Sequence, residues 1–171
     1  MDDFITPRRS LLVVPILASL PAMLLGQSAI AAPDPSMTFT QRPDQITWRK
    51  TPGTPENSVE DAPLWGSSSE PGIYYGLVKW HPGYMSGPHW YETDRLCVVV
   101  SGTWWVASGE KFDPDDTVPM PAGSFIRRVA HTPHYDGVKK DGKEPAIIAI
   151  CGIGPITRHA VGDGGPGVRK L

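Results

Sequence analysis

Proline and glycine interrupt this chain so often that long helices have little room to form. There are 19 prolines and 18 glycines among the 171 residues, and both residue types punctuate regular structure. Short β-rich runs recur between turns such as HPGY, FDPDD and KKDGKEP. Strands this short and this frequent predict an all-β fold, an antiparallel sandwich or barrel in a single domain.

Six segments are predicted as strands because they are β-rich and bounded by turn residues. They are Gln45 to Trp48, Ile73 to Trp80, Arg95 to Ser101, Thr103 to Ser108, Gly123 to Val129 and Ala146 to Cys151. Residues 50–72 are predicted as a long surface connection, and residues 156–171 as a Gly-rich, flexible C-terminal tail.

Residues 1–31 are typical of a cleavable export signal peptide. Arg8 and Arg9 precede an apolar run, and Ala29-Ile30-Ala31 forms an A-x-A cleavage pattern. Such a leader predicts a periplasmic or secreted protein whose mature chain begins near Ala32. The paired arginines also resemble a twin-arginine signal, so both this route and the general secretory route stay open.

The alternative interpretation of the leader is a membrane-anchoring helix. The apolar run from Leu11 to Leu25 is shorter than the ~20 residues that a span needs, and it contains Pro15 and Pro21. Cleavage is therefore favoured, with no stable membrane insertion of the mature protein. The charged leader side chains cancel, so the net charge of -2 applies to the mature chain and gives no electrostatic reason to expect a nucleic acid partner.

Two segments of the chain resemble the motifs of the cupin family. The first cupin motif, G-x5-H-x-H-x3-E-x6-G, is matched in spacing by Gly83, His89 and Gly102. Tyr91 stands at the second His position of that motif, and Arg95 stands at the Glu position.

The second cupin motif, G-x5-P-x-G-x2-H, is matched in spacing by Gly123 and His134. Val129 replaces its proline, and His131 replaces its inner glycine. The segments DQITW, LWG, GTWWV, KFDP, PAGSF and GIGP also resemble small bacterial cupins. The resemblance implies a cupin-type jelly roll (RmlC-like, a double-stranded β-helix) over residues 40–155, and a homodimer, because cupins commonly pair through a sheet.

In the usual cupin site, the resemblance implies three imidazoles and a carboxylate that hold Fe, Mn, Ni or Zn. It also implies that His89 and Tyr91 face into the barrel, with Arg95, Cys97 and Val99 on the next strand and His134 opposite. Alternate residues of a strand share a face, which is why the H-x-H spacing suits a metal site.

The two substitutions oppose metal binding. Arg95 puts a permanent cation where the motif has a carboxylate. A unit charge about 4 Å away at an effective dielectric near 20 is worth roughly 4 kcal/mol, and a dication doubles that repulsion. Neutral Tyr91 is a poor ligand, and two histidines alone seldom retain a divalent ion. The site is therefore predicted as a degenerate metal site with no tightly bound cofactor.

Three functions stay open from the sequence. The first is an enzyme or binding protein whose barrel holds an anionic small molecule, with Arg95 and His131 as ligand-binding residues and with His134, His89 and Tyr91 as catalytic residues. The second is a metal-dependent oxygenase or isomerase that uses His89 and His134 as metal ligands. The third is a non-catalytic binding or sensory module.

Two further alternatives concern single side chains. Arg95 could instead pair with Asp94, Glu92 or another carboxylate and close the barrel mouth. The resemblance places the strands of Cys97 and Cys151 side by side, where a disulfide could form; two small thiols that fill space are the favoured interpretation.

Overall fold

The computed structural model describes residues 36–163 and 165–171. The predicted export signal, residues 1–31, lies outside the described residues. Within them, no helix combines the length and the apolar character needed to cross a membrane. The barrel is a compact unit that runs from Gln41 to Leu171.

Strands dominate the described part of the barrel, together with a 3-10 turn at Pro43–Gln45. In chain order the strands are β1 (Arg49–Lys50), β2 (Val59–Trp65), β3 (Gly72–Trp80), β4 (Tyr84–Ser86), β5 (His89–Trp90), β6 (Arg95–Ser101), β7 (Thr103–Ser108), β8 (Val118–Pro121), β9 (Phe125–Arg128), β10 (His134–Val138), β11 (Ala146–Gly154), β12 (His159–Ala160) and β13 (Val168–Lys170). The prediction of an all-β jelly roll is confirmed.

The strands form two antiparallel sheets. The first sheet has the order β1-β2-β3-β11-β6-β9. In the second sheet, β10 pairs with β7 on one side and with β4 and β5 on the other, and β8 pairs with β7. The short strands β12 and β13 add to β5 and β4.

The hydrophobic core lies between the two sheets. Its buried members include Trp80, Val99 and Ile148 from the first sheet and Trp104 and Val138 from the second. The core forms because alternate residues of a strand share a face, so each sheet turns one set of side chains inward. In β6 this alternation buries Cys97 and Val99 and exposes their neighbours, as the spacing of the motif implies.

Gly102 makes the tight turn that connects β6 to β7. Its φ of +71° lies in the left-handed region that glycine tolerates best. A Cβ atom at this position would collide with the carbonyl oxygen of Pro145. The closing glycine of the first motif is therefore required by backbone geometry.

The two cysteines point to opposite faces of the first sheet. Cys97 is buried on the inner face opposite Ile150, whereas Cys151 is half-buried on the outer face opposite Leu96. Both thiols are free. This agrees with the interpretation of Cys97 and Cys151 as two unbridged thiols, since side chains on opposite faces of a sheet cannot form a disulfide. Burial raises the pKa of Cys97 to about 11, which keeps this thiol protonated at neutral pH.

Three segments differ from their predicted structure. Residues 50–72 contain β2, which pairs with β3 along its length, instead of forming one long connection. Gln45 to Trp48 are not a strand, and pairing begins only at Arg49. Residues 156–171, predicted as a flexible tail, contain β12 and β13, which complete the edge of the second sheet. The pairings of β12 and β13 join residues distant in sequence, so no local pattern predicts them.

Candidate functional site

The two motif histidines face each other across neighbouring strands. His89 on β5 and His134 on β10 form a direct antiparallel pair, and their ring centroids lie 4.6 Å apart. Both side chains are buried, with 3% exposure each. The motif spacings therefore bring these two imidazoles together as predicted.

Backbone carbonyls fix the tautomer of both rings. Nδ1 of His89 lies 2.9 Å from the carbonyl oxygen of Gly87, and Nδ1 of His134 lies 2.9 Å from that of Thr132. A carbonyl oxygen only accepts, so each Nδ1 carries a hydrogen and each Nε2 carries a lone pair. Burial lowers the pKa of His89 to about 3 and that of His134 to about 4, so both rings are neutral at pH 7.

Arg95 donates to one of these lone pairs. Its Nη2 lies 3.1 Å from Nε2 of His134, and its guanidinium carbon lies 3.8 Å from the centroid of the Tyr91 ring. The guanidinium is thus held between an imidazole acceptor and an aromatic face. Among the described residues, no carboxylate pairs with Arg95.

The two carboxylates expected as partners of Arg95 are engaged elsewhere. Asp94 accepts from Nε of Arg127 at 2.7 Å and from the backbone N–H of Ala130 at 2.8 Å. Glu92 accepts from the backbone N–H of Thr157 at 2.9 Å, and its other oxygen lies 2.6 Å from Nε2 of His159. Neither arrangement supports the alternative in which Arg95 closes the barrel mouth through an ion pair.

A buried ion pair lies beside the histidines. Asp136 accepts from Nη2 of Arg128 at 3.0 Å and from Nε1 of Trp104 at 3.2 Å. Burial alone would raise the pKa of Asp136, but the Arg128 guanidinium holds this pKa below its usual value. Arg128 and Asp136 therefore neutralise each other, and the charge of Arg95 is left uncompensated.

The barrel encloses a cavity of about 640 Å³, a size typical of small-molecule sites. Three of the predicted site residues line it: His89, Tyr91 and Arg95. His134 does not line the cavity, but its imidazole is hydrogen-bonded to Arg95, which does.

His131 does not line the cavity, although the sequence proposed it as a ligand-binding residue. It is exposed, and its ring lies 4.9 Å from that of Trp90. Arg158 does line the cavity, and sequence reasoning missed it. It lies in the segment predicted as a tail, and no motif marks its position.

The residues present do not fit the usual cupin metal. No group of three or more His, Cys, Asp or Glu side chains converges on a metal position among the described residues. Nε2 of His134 already accepts from Arg95, and the guanidinium would face an incoming cation. The ring centroid of Tyr91 lies 5.1 Å from that of His89 and 6.2 Å from that of His134. The position at which tyrosine replaces the second motif histidine therefore does lie close to both histidines.

Solved structures with similar folds include a cupin-2 domain and a polyketide cyclase. KdgF from Halomonas sp. is 17% identical with a TM-score of 0.51, and the match covers 66% of this chain and 91% of that protein. The polyketide cyclase RemF from Streptomyces resistomycificus is 14% identical with a TM-score of 0.56, and the match covers 79% and 86%. A cupin-2 domain from Rhodospirillum rubrum is 11% identical with a TM-score of 0.54, and the match covers 74% and 81%.

These identities are low, so the similarity establishes the fold and nothing about the reaction. No sequence-family profile matches the chain, and no curated protein matches it by sequence.

The buried histidines predict a loss of stability between pH 6.5 and about 4. The folded pKa of His134 is depressed, so below pH 6.5 the unfolded chain binds a proton that the folded chain does not, and stability falls until the pH passes the folded value near 4. We expect the His134→Gln variant to lose about 2 kcal/mol less than the wild type between pH 7 and pH 5. Urea unfolding at both pH values measures the difference. The His131→Gln variant, which removes an exposed ring, is the control, and an equal pH dependence in His134→Gln and wild type would contradict the assignment.

The metal site should be recoverable by exchanging two side chains. Tyr91→His adds a neutral nitrogen ligand, and Arg95→Glu removes the cation, frees Nε2 of His134 and supplies a carboxylate. Either change alone leaves an incomplete set, so the gain in affinity for Mn, Ni or Zn should be strongly non-additive. The double variant should hold about one metal per chain, measured by elemental analysis and calorimetry on all four proteins. A chelator-resistant metal in the wild type would show that our interpretation of Arg95 and Tyr91 is wrong.

Proposed function

Because the chain has a cupin fold, we propose that its barrel binds an anionic small molecule through Arg95, without a tightly held metal. The observation that carries this proposal is the uncompensated guanidinium of Arg95, which lines a cavity and has no carboxylate partner among the described residues. A partly enclosed charge is costly unless a counter-charge pairs with it. A ligand carboxylate or similar group supplies that partner as a charge-assisted, bidentate pair.

The surroundings of Arg95 support binding and permit proton transfer. His89 presents an imidazole lone pair, and Tyr91 presents a phenol beside the guanidinium. A neutral base and a phenol that line one cavity can exchange protons with a bound molecule. His134 acts as a positioning residue, since it holds Arg95 and does not itself reach the cavity wall.

We also propose that two copies of the chain pair through the outer face of the first sheet. This face exposes apolar side chains of four neighbouring strands: Ile73, Leu96, Val98, Val100, Phe125 and Ile153. Large contiguous apolar patches are uncommon on monomers and are typical of interfaces. Val98 lies near the middle of this face, opposite Phe125 on β9 and Ala149 on β11.

The anion site predicts a preference for acids over their neutral amides. We expect monocarboxylates to bind at least about tenfold more tightly than the matched amides, because charge-assisted hydrogen bonds contribute roughly 1.5–3 kcal/mol. Trp80 and Trp104 line the cavity, so their fluorescence reports binding. Arg95→Gln should sharply reduce the preference, whereas Arg49→Gln, which removes an exposed arginine from β1, should keep it. Equal affinity for acid and amide in the wild type would refute the proposal.

The proposed dimer predicts that a charge on the outer face yields monomers. Val98→Lys places an ammonium group in the centre of the apolar patch, where pairing would bury it at high cost. Val118→Lys is the matched control, because Val118 is exposed on β8 of the other sheet. Sedimentation velocity should give a dimer for the wild type and the control and a monomer for Val98→Lys. A monomeric wild type, or a dimer that survives Val98→Lys, would contradict the proposed interface.

A further inference from the structure

The cavity lining combines polar and apolar side chains. Its polar members include His89, Tyr91, Arg95 and Arg158, and also Asp136, whose carboxylate pairs with Arg128. Its apolar wall includes a set of large side chains: Val59, Val78, Trp80, Ile148, Ile150 and Ile156. A molecule that fills this space is stabilised by burying an apolar body against this wall and by pairing its polar groups with the polar members.

A second guanidinium, that of Arg158, lines the cavity together with Arg95. Nη2 of Arg158 donates to the carbonyl oxygen of Gly87 at 2.9 Å and to that of Gly167 at 3.3 Å. The Gly87 carbonyl also accepts from Nδ1 of His89, so Arg158 is fixed next to the buried imidazole. Among the described residues, Arg158 has no ion pair. The C-terminal segment thus places a second cation on the lining of the cavity.

His89 offers an acceptor that nothing in the described residues satisfies. Its Nδ1 hydrogen is committed to Gly87, and no hydrogen bond reaches its Nε2. The side chain is only 3% exposed and lines the cavity. This acceptor lies on the cavity lining, where an O–H or N–H group of a bound molecule can donate to it. Arg95 donates instead to Nε2 of His134, and no hydrogen bond joins it to His89.

We propose that the ligand is a carboxylate that carries a neighbouring hydroxyl group and an apolar body. Resting on the proposed anion site, this assigns the carboxylate to Arg95 and Arg158, the hydroxyl hydrogen to Nε2 of His89, and the body to the apolar wall. A second carboxylate is disfavoured, since it would face either the His89 lone pair or that wall. The class is therefore an aryl- or alkyl-substituted hydroxy acid with one negative charge.

Four matched compounds test the three parts of this class. They are 3-phenyllactate, 3-phenylpropanoate without the hydroxyl, lactate without the apolar body, and 3-phenylpropane-1,2-diol without the carboxylate. Titration calorimetry on the wild-type chain should rank phenyllactate first, with each other compound at least about tenfold weaker, since each lacks one satisfied contact. Arg158→Gln should weaken both phenyl acids by a similar factor, and Arg49→Gln should weaken neither.

A variant at His89 isolates the hydroxyl contact. His89→Phe should bind phenyllactate and phenylpropanoate equally, because the acceptor is gone while the guanidinium groups remain. Circular dichroism checks that this variant folds, and if it does not, the wild-type ranking still decides the question.

The outcomes separate this inference from the anion site itself. Equal wild-type affinity for the two phenyl acids overturns the hydroxyl contact and leaves the anion site standing. If lactate binds as tightly as phenyllactate, the ligand does not need an apolar body and that part of the proposal is wrong. A diol that binds as tightly as the acids, or no binding by any acid, overturns both this inference and the proposed function.

Discussion

The hydrogen bond from Arg95 to His134 is the contact on which the rest of the site depends. It uses the lone pair that a metal would need, and it fixes the guanidinium over the Tyr91 ring. It also requires a neutral imidazole, because a protonated His134 would set two cations against each other. Burial meets this requirement by lowering the pKa of His134 to about 4. Burial keeps the imidazole neutral, as a metal ligand would need to be, and here the neutral ring accepts a hydrogen bond from Arg95.

The balance of charge around this contact determines what the cavity can accept. Arg128 is compensated by Asp136 inside the barrel, so it adds no net attraction for an anion. The carboxylates next to Arg95 in sequence hold the backbone of neighbouring segments instead: Asp94 holds Ala130, and Glu92 holds Thr157. These pairings leave Arg95 uncompensated, and Arg158 joins it from the C-terminal segment. In the function we propose, a ligand anion would supply the counter-charge for these two guanidinium groups.

The resemblance of two segments to the cupin motifs was sufficient to predict the fold and the convergence of His89, Tyr91, Arg95 and His134. Strand β6 was predicted to the residue, since its alternation is local. The second cation of the site was not predicted. Arg158 reaches the cavity only because β12 pairs with β5, a contact between distant segments. The sequence also did not determine the partner of Arg95, because two nearby carboxylates, Asp94 and Glu92, could have paired with it. Only the tertiary structure shows that both bind other groups.

Anomalous diffraction from crystals of the protein soaked in bromide tests the central claim most directly. The account predicts a bromide peak within hydrogen-bonding distance of the Arg95 guanidinium, with Arg95 still bonded to His134. It also predicts no peak from a transition metal at the two Nε2 atoms. A metal ion about 2.1 Å from Nε2 of both His89 and His134, with Arg95 displaced, would contradict the account. So would a crystal in which bromide occupies other sites fully and leaves the space beside Arg95 empty.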